Sequence, residues 1–203
     1  MSSQESLILN LSRFSHTLDE NLITSIKKDH NLIKYLFEEF LKLSLECHKI
    51  KLSNEIIRQI SVHNIAEELT VYPVIKDKLG EYTYIQNLNE HRNLERELRK
   101  LPNYYSEVGS EGFYKILITI VESFIAHSEK EEKEILPKLI EKLTDHEKED
   151  ITKSFIYKRS KVPTRPHPGV AIKFPYKSII ATLQAPLDKF MDIFTRDFPI
   201  VSH

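Results

Sequence analysis

His63-Asn-Ile-Ala-Glu67-Glu68-Leu-Thr-Val-Tyr72-Pro73 and His127-Ser-Glu-Lys-Glu131-Glu132-Lys-Glu-Ile-Leu136-Pro137 are two copies of one pattern, 64 residues apart. Each places Glu at +4 and +5 from its histidine and Pro at +10. On an α-helix, residues i and i+4 stand one above the other on the same face. Each copy therefore presents an imidazole and a carboxylate together, a ligand set for iron, manganese or zinc. Two copies point to a two-metal site with internal pseudo-symmetry.

The surrounding sequence reads as helix almost throughout. Glycine is scarce, with 4 residues, and tryptophan is absent. Ile23, Ile26, His30, Ile33, Phe37 and Phe40 recur at three- and four-residue steps, which predicts a helix over about 18–47. A second, about 54–80, carries Ile56, Ile60, His63, Glu67 and Val74 on one stripe and stops at Gly80. A third, about 83–101, carries Leu88, His91, Leu94, Leu98 and Leu101 and ends at Pro102. After a turn-like segment at 103–112, a fourth spans about 113–143 with Leu117, Ile120, Phe124, His127 and Glu131. Pro73 and Pro137 lie near the ends of their helices, where a kink would leave the ligand turn untouched. Four helices with short links predict an all-α, up-down-up-down four-helix bundle.

Residues 1–17 read as an N-terminal tail, 18–148 as the bundle and 149–203 as a C-terminal extension packed on it. The extension holds the Pro-rich run Lys161–Gly169 and a short amphipathic helix at 178–195, interrupted by Pro186.

Composition narrows the class. The chain has 203 residues, 40% hydrophobic and 29% charged, the profile of a soluble globular protein. Net charge is −1, without the basic bias that nucleic-acid binding needs. The densest apolar stretch, 116–121, is far too short to span a bilayer. Cys47 is the single cysteine, so no intrachain disulfide forms, and its expected place is packed in the interior. The start, Met1-Ser-Ser-Gln-Glu-Ser, lacks a secretory layout, so the expected location is cytoplasmic.

Four histidines fall on the apolar stripes: His30, His63, His91 and His127, one per helix. His30 follows Asp29 and His91 follows Glu90, so the chain alternates an acid-His helix with a His-x-x-x-Glu helix, twice. One imidazole on a core face is satisfied by a hydrogen bond or two. Four, joined by buried Glu67 and Glu131, carry a desolvation penalty that uncharged neighbours do not offset. A pair of divalent cations removes it. Because metal binding needs neutral histidine and ionised glutamate, it weakens at low pH. His16, His48, His146, His167 and His203 fall off the stripes and read as solvated. Glu68 and Glu132 read as outward-facing or as supports for the ligands.

Asp29-His30, His63 through Pro73, Glu90-His91 and His127 through Pro137 together resemble the hemerythrin-like, or HHE cation-binding, family over about residues 18–142. The resemblance implies a four-helix bundle around a non-haem di-iron centre, with manganese or zinc as alternatives. It implies His30 and His63 on one iron, His91 and His127 on the other, and Glu67 and Glu131 as bridges. The run at 163–168 is similar to tails of fungal members. Oxygen carriers of the family bring two histidines from the third helix; here Asn87 and Glu95 flank His91, and either Glu95, on the same face, completes the shell or water does and the site is more open. The fourth helix has Glu at +4 where carriers place Asp one residue later. The expected function is binding, scavenging or sensing of O2, NO or peroxide. A di-iron oxidase or oxygenase acting on a small organic substrate, and an iron-dependent regulatory module, are the alternatives.

Overall fold

Most buried apolar residues of the bundle fall into two clusters with a polar layer between them, and the division gives the topology directly. The structure, a computed structural model, describes residues 14–16, 20–101 and 110–162. Residues 1–13, 17–19, 102–109 and everything from 163 onward, including the Pro-rich run past Val162 and the expected helix at 178–195, lie outside the described residues. The helices are α1 (Leu22–Lys42), α2 (Glu46–Leu79), α3 (Glu81–Lys100), α4 (Glu111–Lys130), α5 (Leu136–Glu141) and α6 (Asp145–Arg159). Among the described residues there is no strand.

One cluster joins Ile33, Phe37 and Phe40 of α1, Ile56 and Ile60 of α2, Leu94 and Leu98 of α3, and Phe113, Leu117 and Phe124 of α4. The other joins Leu22 and Ile26 of α1, Tyr72 and Ile75 of α2, Leu136 and Leu139 of α5, and Ile151 and Phe155 of α6, with Tyr84 and Leu88 of α3 packed against it. Chain order therefore crosses from the second cluster to the first along α1, back along α2, forward along α3 and back along α4 and α5. That is the expected up-down-up-down bundle, and α1 closes the ring against α4.

Local chemistry sets the helix ends. Asn21 and Ser110 cap α1 and α4, their side chains accepting from Thr24 N (2.9 Å) and Phe113 N (3.1 Å). Gly80 alone links α2 to α3 at φ 96°, a left-handed backbone that disfavours any side chain. α1 ends at Lys42, and α2 begins at Glu46, earlier than expected. No glycine or proline marks that break; it lets Leu52 and Ile56 turn back into the cluster that Phe40 enters. Cys47, expected in the interior, is exposed on the first turn of α2.

Pro73 sits inside α2. Before Pro137 the backbone widens into a π-turn over Glu131–Ile135, with Leu136 N–H bonded to Glu131 O. Proline has no N–H and its ring crowds the carbonyl four residues back, so a widened turn relieves it. The irregularity expected beyond the ligand turn thus starts at Glu131 itself.

α6 packs on α2 and α1, and the expected boundary at 148/149 falls within it. Thr144 and Glu147 form a reciprocal capping box at its start, and Lys78 Nζ lies 2.8 Å from Glu147 Oε1. Lys78, then Thr144, pull the Glu147 carboxyl down to about 2. Its folded value lies below the ordinary 4.5, so its contribution is complete above that pH and is lost as pH falls toward about 2. Glu147→Gln is therefore expected to melt below the wild type near neutral pH. In circular-dichroism melts the gap should close as the buffer is taken through that acid window.

Candidate metal centre

Four imidazoles, one from each helix of the bundle, meet in the polar layer. His30 and His63 face each other with Nε2 atoms 3.1 Å apart, and His91 and His127 with Nε2 atoms 3.0 Å apart. His30, His63 and His91 are fully buried and His127 nearly so. Phe124 closes the apolar side, its ring centroid 5.7 Å from that of His30 and 5.4 Å from that of His63.

Every one of these rings turns its Nδ1 to a carboxylate on the preceding helix of the ring. His63 Nδ1 lies 3.4 Å from Asp29 of α1, and His91 Nδ1 lies 3.4 Å from Glu68 of α2. His127 Nδ1 lies 2.7 Å from Glu90 of α3, and His30 Nδ1 lies 2.8 Å from Glu132 in the π-turn after α4. A carboxylate that accepts from Nδ1 frees Nε2 to act as a ligand on the inner side; the His91–Glu68 contact is a charge pairing, not a hydrogen bond. Glu68 and Glu132, read from sequence as outward-facing or supporting, are supports. Asp29 and Glu90 serve the histidine of the next helix, and not the one beside them in sequence.

Asp29 is itself held in place. Arg159 Nε of α6 donates to both its oxygens at 2.7 Å, and Arg159 Nη2 donates to Gln59 Oε1 at 2.8 Å. His16 Nε2, expected in solvent, lies 2.9 Å from Asp29 Oδ1. Burial works to raise the Asp29 carboxyl, but Arg159, His16 and His63 outweigh it and hold it well below the usual range.

The centre of the layer contains Glu67 and Glu131, both fully buried, and none of their four oxygens accepts a hydrogen bond. Glu67 Oε2 lies 3.3 Å from His63 Nε2 and 3.4 Å from His91 Nε2; Glu131 Oε2 lies 3.6 Å from His30 Nε2. Burial raises Glu67, yet His63 and the other imidazoles bring it down to about 2. His63 answers in the opposite sense: burial lowers it, but Glu67 and Asp29 raise it to about 10. Burial and the Glu67 charge push Glu131 well above the usual carboxylate range. Burial also lowers His30, against the pull of Glu132.

Two sets of atoms converge closely enough to hold a metal ion. In His30, His63, Glu67 and Glu131 one donor atom of each lies within 4.8 Å of the others, and the same is true of Glu67, His91 and His127. Glu67 belongs to both. The donors fit a pair of cations: Nε2 atoms face one another at about 3 Å and buried carboxylate oxygens accept no hydrogen bond. Cations supply the missing partner for both.

All six sequence-derived candidates, His30, His63, Glu67, His91, His127 and Glu131, fall within these sets. Glu95 does not; its carboxylate pairs with Arg99 one turn along α3 at 2.8 Å. Asn87, on the other side of His91, donates to Thr83 O at 2.8 Å. Sequence reasoning missed Tyr72, whose hydroxyl lies 2.7 Å from His91 Nε2. The available signal was its i+4 spacing from Glu68, which also faces His91.

The family model for the hemerythrin HHE cation-binding domain matches residues 21–139. The chain belongs to that family. The matched span contains all four helices of the bundle and both His-x-x-x-Glu turns. A relative in Schizosaccharomyces pombe, an uncharacterized hemerythrin-like protein, is 25% identical over 175 residues, covering 85% of each chain. No solved structure matches.

Two outcomes test this account of the hemerythrin centre. Removing a support, by Asp29→Asn or Glu90→Gln, is expected to weaken metal affinity roughly 10- to 100-fold in competition titrations, with the ligands intact. Glu131→Gln replaces a buried carboxyl with an amide that donates to Glu67. Chelator-treated Glu131→Gln is expected to gain about 1–2 kcal/mol, raising its Tm by roughly 2–8 °C, while its metal content falls.

Proposed function

We propose that this hemerythrin domain binds two iron ions and uses them to bind, scavenge or sense O2, NO or peroxide. His30, His63 and Glu131 would hold one iron, His91 and His127 the other, with Glu67 shared between them. The observation that carries the reading is the pair of buried donor sets sharing Glu67. When bound, iron supplies the redox chemistry by which such small molecules are held or reduced. Manganese and zinc suit the same atoms, so metal identity is part of the test.

The chain's own residues have three tasks in this scheme. Asp29, Glu90 and Glu132 accept from Nδ1 atoms, and Glu68 pairs with that of His91, which frees the Nε2 atoms to act as ligands on the inner side. Glu67 and Glu131 supply negative charge where an added cation needs it. The apolar clusters on both sides, with Phe124 against the rings, keep bulk water from the polar layer. A cytoplasmic setting belongs to the same proposal, since reducing conditions keep the exposed thiol of Cys47 free. No described helix is long and apolar enough to cross a membrane.

Protein purified without added metal and then reconstituted anaerobically with Fe(II) is expected to hold two irons per chain by elemental analysis. Its visible spectrum is expected to change on admission of air, and differently with NO. A content below one metal per chain after reconstitution sinks the proposal, and unchanged spectra with every gas sink the small-molecule part.

A further inference from the structure

The two donor sets are unequal. The first has four protein donors, His30, His63, Glu67 and Glu131, and the second has three, Glu67, His91 and His127. The repeat that built them shares His, Glu at +4 and +5 and Pro at +10, and it differs at +9. That position is Tyr72 after His63 and Leu136 after His127. Leu136 is fully buried in the apolar cluster. Tyr72 is equally buried, yet its hydroxyl reaches the polar layer, 2.7 Å from His91 Nε2. Its ring lies against the imidazole, centroids 4.7 Å apart.

Two atoms that ligate one cation at about 2.1 Å from right-angled positions lie about 3 Å from each other. The Nε2 pairs at 3.1 and 3.0 Å have that separation, and the Tyr72 hydroxyl stands from His91 Nε2 at nearly the same distance. The hydroxyl thus stands beside His91 of the set to which Glu131 does not belong. Of the flanking positions on α3, Glu95 is paired with Arg99, and Asn87 donates through Nδ2 to Thr83 O, its buried Oδ1 accepting no hydrogen bond.

We propose that Tyr72 is a seventh protein ligand, binding through its phenolate oxygen the ion held by His91 and His127. This rests on the two-cation reading. On loading, the Tyr72 O–H bond breaks, an oxygen–metal bond forms, and the proton leaves to solvent; no electron is transferred. An anionic oxygen favours the higher charge of ferric over ferrous iron. One iron of the pair is then harder to reduce than the other, which turns the site away from reversible O2 carriage.

The test loads wild type and Tyr72→Phe with Fe(II), oxidises both to the ferric state, and measures iron content and visible-excited resonance Raman spectra. The expected result is phenolate ring modes in the wild type that vanish in Tyr72→Phe, with two irons bound by the wild type. Iron bound by the wild type without phenolate modes overturns the Tyr72 assignment and leaves the two-iron reading standing. Phenolate modes that persist in Tyr72→Phe overturn it as well. One iron per chain, with modes that depend on Tyr72, overturns the two-iron reading and keeps Tyr72 as a ligand. No iron in the wild type overturns both.

Discussion

Glu67 and Glu131 sit in the middle of a helical bundle with all four carboxylate oxygens buried and none accepting a hydrogen bond. Leaving a carboxylate in that condition costs several kcal/mol unless something positive compensates it. The surrounding groups are arranged around that cost. Four imidazoles converge on the carboxylates, His63 shares an ion pair with Glu67, and burial beside Glu67 pushes the Glu131 carboxyl upward. Two apolar clusters then seal the layer from both sides, which strengthens every charge interaction inside it. The fold tolerates this layer because it is prepared for cations, and the proposed function follows from that preparation.

Neighbouring residues on a helix point about 100° apart. In a ring of four helices, that angle sends one side chain to the centre and its neighbour toward the next helix. His30 and Asp29 divide in this way, as do Glu67 and Glu68, His91 and Glu90, and Glu131 and Glu132. The inner member joins the proposed ligand set and the other supports the histidine of the following helix. The four supports therefore run once around the bundle in a single direction. Arg159 attaches α6 to this ring through Asp29, so a helix outside the bundle bears on the orientation of His63.

The six central residues were readable because helical spacing puts them on apolar stripes, where polar side chains need a reason to be. The bundle was readable from the same period. The turn at 43–45 was not, because no glycine or proline marks it and only the return of Leu52 and Ile56 to the core requires it. The π-turn at Glu131 was hidden for a related reason: Pro137 announces a disturbance, while its placement depends on how the chain relieves the missing N–H. His16 and Arg159 reach Asp29 across 13 and 130 residues, distances over which no local pattern operates. Glu95 had the right spacing from His91 but found Arg99 on its own helix first.

From sequence alone came the four bundle helices, their order and the six candidate donors, which depend on periodicity within each helix, and the resemblance to the cation-binding family, which motifs on all four carry. Tertiary structure decided what depends on contacts between helices: which acid supports which histidine, the sharing of Glu67 between two sets, and the arrival of Tyr72 at the poorer one. Spacing determines the face on which a side chain lies. Only packing determines which neighbouring helix that face meets.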